Sequence, residues 1–299
     1  MGFLSRREFV KTAGATAIGA AVLKDAPLAA EPLGLPMGVQ LYSVRDLLPK
    51  DYDGTLAGLA KIGFKEAEAA GFFEHSAKEV KAAMQNAGLR CVGAHYALDK
   101  LKPSVEETIT FCHEADIQYV VCSSPMAQDP SRVKSTDFVA KMEALTLDDW
   151  KWNADQFNQV AAKVSAAGLR FAYHNHRTEF RELDGKRPYD VLLEETDPKL
   201  VTFEMDCGWV VVGGGNPVAY LKKYPTRISM LHVKQFVLSK TGGEPKSVEF
   251  GHGGDIDYRP IFAAAKGHIK HYFVEQEQFN MPPMEGLKID VECLRKMKG

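Results

Sequence analysis

No run of about 18 consecutive apolar residues occurs in the 299-residue chain, which excludes an ordinary membrane-spanning helix. Cysteine is scarce. The five present (Cys91, Cys112, Cys122, Cys207 and Cys293) are odd in number and form no CxxC, so no disulfide framework is expected. Cys91, Cys122 and Cys207 fall in apolar, strand-like runs, where cysteine behaves as a small hydrophobe. Basic charge is not in excess: 37 Lys and Arg stand against 39 Asp and Glu, a net charge of −2. Phosphate backbones need clustered Lys and Arg, so nucleic acid is not an expected partner. What is present is ordinary for a globular protein. Hydrophobic residues make up 45%, charged residues 25%, with 25 Gly and 15 Pro. Disorder, collagen and coiled coil are thereby excluded as the main state. A chain of this length buries roughly 75% of its unfolded surface and needs no staples.

The N-terminus reads differently from the rest. Ser5-Arg6-Arg7-Glu8-Phe9-Val10-Lys11 is followed by an Ala/Gly-rich apolar stretch from Thr12 to Leu23, then by Ala26-Pro27-Leu28-Ala29-Ala30. Basic start, short apolar middle and small-residue end are the layout of a signal peptide. The Arg pair in this setting resembles a twin-arginine export signal, a receptor-read address and not an anchor. Residues 1–30 are therefore set apart as the signal and 31–299 as the folded domain, with a periplasmic destination. Residues 1–30 hold four basic and two acidic side chains, so the remainder carries −4.

From Gly38 onward, short apolar runs alternate with stretches of helical period. Strands are expected near Gly38, Phe64, Arg90, Gln118, Arg170, Leu200, Ile228 and His271. Gly63, Gly88, Gly168 and Gly267 precede strands, where a glycine supplies the left-handed C-cap of the foregoing helix. Alternating strands and helices imply parallel pairing with right-handed crossovers. Eight such units in about 265 residues fit a (β/α)8 TIM barrel. A doubly wound sheet is the rival, but GVQLYSVRD lacks the glycine-rich phosphate turn usual after its first strand. Two connections are long, Pro125 to about Thr146 and Val237 to about Asp255, and long βα loops are where barrels build lids.

In a barrel, chemistry lies where strands end. Four successive late strands end in YHNH (Tyr173–His176), FEMD (Phe203–Asp206), LHVK (Leu231–Lys234) and VEQE (Val274–Glu277). Side chains alternate along a strand, so His174 with His176, Glu204 with Asp206, His232 with Lys234, and Glu275 with Glu277 each share a face. One such end is weak evidence, because a lone strand-end His is more often structural. Four adjacent ends are harder to explain as packing, since barrel interiors favour Val, Ile and Leu. Burying carboxylates with imidazoles is costly unless a cation offsets it. Mixed imidazole and carboxylate donors suit Mn²⁺, Zn²⁺, Co²⁺ or Fe²⁺.

YHNHRTEF, FEMD followed by Trp209, LHVKQF, GHGGDIDY, FVEQE and the opening VQLYSVRD together resemble the sugar phosphate isomerase/epimerase family of xylose-isomerase-like TIM barrels. The resemblance spans about residues 37–298 and includes keto-sugar epimerases and inosose dehydratases. It implies one divalent metal held by Glu, Asp, His and Glu from strands 5 to 8. Asp206, His232 and Glu275 match three of these. The strand-5 Glu is missing, and His174 is expected in its place, with His176 or Glu204 as substitutes. That exchange alters the site charge by about one unit and removes one candidate base.

The resemblance further implies that the metal polarises a sugar carbonyl while a base removes the adjacent proton. Glu275 is the family-like base and Glu204 the second choice. Lys234 is expected either to donate to the oxyanion or leaving hydroxyl, or to pair with Glu204 or Glu277. Glu179 would bind sugar hydroxyls or pair with Arg177. Trp209 would stack on a sugar or anchor a loop. His95 and His252 are further substrate-contact candidates. Asp257 is expected as a helix N-cap and Pro217 as a helix opener.

Three activities follow. The first is isomerisation or epimerisation of a keto-sugar through an enediolate. The second is a lyase or hydratase reaction on a 3-keto-sugar or inosose. The third is an exported sugar-binding barrel without turnover. The abasic-site endonuclease branch of the fold is disfavoured by the acidic charge and the export signal. The implied partners are a carbohydrate and the twin-arginine machinery, without nucleic acid or a stable membrane anchor. A homo-oligomer is compatible with this reading.

Overall fold

The computed structural model describes residues 31–239 and 243–297; the expected export signal lies outside them. The strands, numbered along the chain, are β1 (Met37–Gln40), β2 (Glu66–Ala69), β3 (Arg90–Ala97), β4 (Tyr119–Ser124), β5 (Arg170–His174), β6 (Val201–Asp206), β7 (Ile228–Val233), β8 (Gln235–Val237), β9 (Lys246–Val248) and β10 (His271–Val274). Strands β1 to β7 and β10 close a barrel in the order β1-β10-β7-β6-β5-β4-β3-β2, with every neighbour parallel. The eight expected strands are the eight staves, and the fold is a (β/α)8 barrel.

Local chemistry sets the helices between them. Ser76 and Glu79 form a reciprocal capping box on helix Ala77–Ala87, and Thr146 with Asp149 does the same on helix Leu147–Ala166. Gly88 and Gly168 adopt φ of 75° and 80°, the left-handed conformation that turns a helix into the next strand. Asp257 caps helix Tyr258–Ala265, and Asn216 with Pro217 opens helix Pro217–Lys223. Cys207 departs from the expected strand: it begins helix Cys207–Val212, because Asp206 accepts the Trp209 N–H and caps the chain there. All five cysteines are free thiols.

The long connections are not bare loops. Residues 125–146 contain a short helix, Phe138–Glu143, and β8 pairs with β9 in an antiparallel hairpin beyond the end of β7.

The core has two parts. A large cluster lies between staves and helices, and a smaller one fills the barrel lumen: Val92, Tyr119, Val121, Ala172, Met230 and Phe273. Gly38 makes room for this plug, since a Cβ there would collide with the Phe273 ring. Below the plug, Glu66 accepts from His271 at 2.7 Å and pairs with Arg90. Above it the lumen turns polar. Register brings His174 beside Glu204, Asp206 beside His232, and His232 beside Phe273.

Helix Pro283–Lys296 covers the barrel's outer wall and carries a buried acid. Asp290 Oδ1 accepts the Phe250 N–H at 2.7 Å. Burial pushes its pKa up to about 7, the Phe250 bond opposes this, and nearby Glu249 adds to it. Between the unfolded value of about 3.9 and about 7, the folded state keeps a proton that the unfolded state releases. Stability therefore falls as pH rises through that window and levels off above it. Asp290→Asn keeps an oxygen for Phe250 and removes the charge. Its urea midpoint should exceed that of the wild type at pH 8, by at most a few kcal/mol in stability, and match it at pH 4. An equal shift at both pH values would contradict this account.

Candidate active site at the barrel mouth

Five carboxylates converge above the lumen plug: Glu68, Glu204, Asp206, Glu275 and Glu277, the first four buried. They face one ammonium, that of Lys234, and the imidazoles of His95, His174 and His232. Strand alternation puts them there. Along β6, β7 and β10 alternate residues pack outward as Phe203, Met205, Leu231, Val233 and Val274, while those between them point inward.

The groups occupy two tiers. In the lower tier Glu204 Oε2 lies 2.9 Å from His95 Nε2, 3.1 Å from His174 Nδ1 and 3.2 Å from His232 Nε2. Glu68 Oε2 lies 2.7 Å from His232 Nε2 and 3.0 Å from His95 Nε2. In the upper tier Lys234 Nζ sits 2.9 Å from Asp206 Oδ2, 2.7 Å from Glu275 Oε2 and 2.6 Å from Glu277 Oε1. His232 spans the tiers, because its other nitrogen, Nδ1, is 3.0 Å from Glu275 Oε2.

Electrostatics follow from this crowding. Burial raises Asp206 to about 6 although Lys234 and His232 pull it down. Burial alone would also raise Glu204 and Glu275, but the histidines hold Glu204, and Lys234 with His232 hold Glu275, well below the ordinary range. Burial and the neighbouring His232 lower His174 to about 3, so it is neutral. Burial opposes the charge on His95, yet Glu68 and Glu204 outweigh it and raise the imidazole to about 9. Lys234 is held well above its usual value, since its three carboxylates outweigh burial, and it stays protonated.

One donor atom from each of His174, Asp206, His232 and Glu275 lies within 4.8 Å of the others, and the same holds for His95, His174, Glu204 and His232. Asp206 Oδ2 is buried and, although 2.9 Å from the Lys234 ammonium, has no aligned hydrogen bond. Glu68 Oε1 and Glu204 Oε1 are buried without partners as well. Two imidazoles and two carboxylates amid uncompensated negative charge fit a divalent cation by donor type, number and proximity.

A cavity of about 430 Å³ opens above this cluster. His95, His174, His176, Trp209, Lys234, Glu275 and Glu277 reach its wall. Tyr42 and Phe138 add aromatic surface to it, and Arg177 holds the β8–β9 hairpin across it through a bidentate pair with Glu244. Trp209 donates Nε1–H to Glu277 at 3.1 Å and covers the Lys234 ammonium at 5.1 Å.

Several sequence expectations are corrected. Glu179 does not face the cavity and does not pair with Arg177. It is fully buried, accepting from Tyr173 Oη, the His176 N–H and Thr178 Oγ1, and it shapes the turn after β5. His252 lies outside the cavity wall, half-exposed, 3.4 Å from Glu249. Glu204 lies in the lower tier with three imidazoles around one oxygen, which does not suit it as a base reaching substrate. Lys234 pairs with Glu277 as one expected alternative had it, but with Asp206 and Glu275 too, and not with Glu204.

Glu68 and Gln40 were missed. The signal was legible in Glu66-Ala67-Glu68-Ala69, where a small residue alternates with an acid along a strand whose acidic face has only the lumen to enter.

Removing the Lys234 ammonium would leave Asp206, Glu275 and Glu277 without their shared cation. Lys234→Met should cost roughly 3–5 kcal/mol in metal-free protein, read by urea unfolding in the presence of chelator, because one partner of a buried ion cluster is lost. A loss below about 1 kcal/mol would show that the carboxylates are not held by this residue.

Known proteins place this geometry in a lineage. The model of the xylose isomerase-like TIM barrel family matches residues 56–297. An inosose dehydratase from Clostridium tetani is 25% identical over 247 residues, covering 76% of this chain and 82% of the relative. The crystal structure of a sugar phosphate isomerase/epimerase from Parabacteroides distasonis superposes with a TM-score of 0.71 at 26% identity, over 88% of this chain and 98% of that one. The IOLI protein, solved with a bound zinc atom, shares the fold at a TM-score of 0.67 and 13% identity, over 87% and 96% of the two chains. By sequence and by architecture, the chain belongs to the xylose isomerase-like TIM barrel family.

Proposed function

We propose that the protein is a metal-dependent enzyme that removes the proton beside the carbonyl of a keto-sugar or keto-cyclitol, with loss of water as the favoured outcome. His174, Asp206, His232 and Glu275 would hold the cation. When bound, a divalent cation supplies polarisation of the carbonyl and offsets the charge that develops on its oxygen.

The observation carrying this reading is the 2.7 Å separation of Glu275 Oε2 and Lys234 Nζ at the cavity wall. A proton acceptor and a hydrogen-bond donor this close approach a substrate from one side. That suits removal of a hydrogen and a hydroxyl from the same face. Glu275, kept ionised, takes the α-proton. As the β C–O bond breaks, the hydroxyl departs with that proton as water, hydrogen-bonded by Lys234. The inosose dehydratase relatives support this outcome.

Epimerisation is the second reading, and His176 favours it. Burial, His174 and Lys234 keep this imidazole neutral, its Nδ1 has no partner, and it reaches the cavity wall separately from Glu275. Inversion at the α-carbon requires a second proton-transfer group, and a neutral imidazole with a free lone pair can take up a proton and return it. The isomerase/epimerase neighbour supports this reading.

Incubation of Mn²⁺- or Co²⁺-loaded protein in D₂O with keto-cyclitols and 3-keto-glucosides separates the two. Loss of one water by mass supports dehydration, and deuterium gain without that loss supports epimerisation. Absence of both, with metal bound, would refute enolisation. Asp206→Ala and His232→Ala should each weaken metal binding by more than about 100-fold, beyond the loss usual for outer-shell partners.

We further propose that Ser5–Lys11 directs export through the twin-arginine route. Replacing Arg6 and Arg7 with Lys should retain the protein in the cytoplasm on cell fractionation; unchanged export would refute this.

A further inference from the structure

Two overlapping groups of donors crowd the barrel mouth, and they share His174 and His232. Hydrogen-bond direction distinguishes them. Tyr42 N–H donates to Gln40 Oε1 at 3.1 Å, so the Gln40 amide presents Nε2–H to Glu68 Oε2, 2.7 Å away. An amide nitrogen only donates, so Glu68 Oε2 is an acceptor. His232 Nε2 lies 2.7 Å from that same oxygen and 3.2 Å from Glu204 Oε2, so it faces two carboxylates and carries the hydrogen. The lone pair available for a metal is then on Nδ1, the nitrogen that faces Glu275 and Asp206. Glu204 acts alike on His174. It accepts from Nδ1 at 3.1 Å, leaving His174 Nε2 for the upper group.

We propose that Glu68, anchored by Gln40, is the positioning residue that fixes His232 as an Nε2–H donor and so aims Nδ1 at the metal. The proposal rests on the metal reading above and names a residue that reading does not contain. Glu68 is built in for this. It is fully buried, and Gly93 vacates its space, since a Cβ there would lie 2.8 Å from Glu68 Oε1. Among the described residues strand β2 contributes no member to either donor group, and barrel lumens favour Val, Ile and Leu, so packing alone offers no reason for an acid at this height. Outer-shell acceptors of this kind set both ring orientation and tautomer of a ligating histidine.

Co²⁺ titration, followed by its visible absorption, and ¹⁵N NMR of Zn²⁺-loaded protein test the assignment. Glu68→Gln retains an acceptor oxygen for Gln40 and His232 but not its charge; Glu68→Leu retains neither. Glu66→Gln, on the same strand but below the lumen plug, is the control. Glu68→Leu should weaken Co²⁺ binding about 10- to 100-fold and Glu68→Gln by less, with Glu66→Gln unchanged. In the wild type, His232 should show a protected Nε2–H and a metallated Nδ1. Metal on Nε2, or wild-type Co²⁺ affinity in Glu68→Leu, would overturn the proposal. Failure of the wild type to bind Co²⁺ at all would instead sink the metal reading. The Nε2–H of metal-free His232 then decides positioning: its protection from exchange should be present in the wild type and lost in Glu68→Leu, and protection unchanged by the substitution would overturn the proposal.

Discussion

Negative charge gathered in a low-dielectric space governs the upper half of this barrel. Glu68, Glu204, Asp206 and Glu275 are buried within hydrogen-bond reach of one another's partners, with Glu277 at the rim. Each ion taken from water costs several kcal/mol unless an opposite charge or good hydrogen bonds offset it. Lys234 offsets the charge of three of the acids at once. His95 and His232 serve the others, and three carboxylate oxygens remain buried without aligned partners. An arrangement left this far short of neutrality has a use for added positive charge. A divalent cation belongs to that electrostatic setting, and would in turn offset negative charge developing on a substrate oxygen beside it.

The lumen plug makes such a site possible. Val92, Tyr119, Val121, Ala172, Met230 and Phe273 form an apolar floor, and the Glu66–His271–Arg90 group lies on its far side. The floor shields the acids from below, so their charges interact more strongly than they would at a surface. Staves of fixed register carry the groups above the floor. The pairs His174 with Glu204 and Asp206 with His232 are therefore set by backbone hydrogen bonding more than by loop conformation. This is the precision that a metal site asks of its scaffold.

Much of this was legible in the chain. Eight apolar runs separated by helical stretches announced the barrel, and strand ends two residues apart announced which side chains would meet, because a stave has only an inside and an outside. Where the reading depended on strand periodicity, it located groups that the structure brings together. It failed where position depends on the turn that follows a strand. Glu179 is three residues past His176, in a tight turn that folds its carboxylate back under Tyr173. His252 sits in a glycine-rich turn whose direction no alternation rule sets. Glu68 was overlooked for a different reason. It ends no late strand and belongs to a short Glu-Ala repeat, and an acid on an early stave looks like a surface residue until the barrel closes around it.

Dehydratases and isomerases both appear among the relatives, and the geometry gives a physical reason. On the chemistry proposed above, dehydration and epimerisation would share the costly step, removal of a proton beside a carbonyl, and part only in what happens to the resulting anion. That step would draw on groups carried by the staves and their ends: Asp206, His232 and Glu275, with Glu68 and Glu204 beneath. The fate of the anion would then rest with other groups at the cavity wall, namely Lys234, His176, Trp209 and the aromatic rim of Tyr42 and Phe138. Phe138 comes from the long segment after β4, and Arg177 ties the wall to the β8–β9 hairpin. Loops change more readily than closed sheets, because a loop alteration disturbs few backbone hydrogen bonds. A barrel of this construction can thus keep one enolising floor while its upper wall selects between protonating the anion and expelling a hydroxyl. In this chain the ammonium of Lys234, pinned against Glu275, gives that wall a permanent donor on the acceptor's own side.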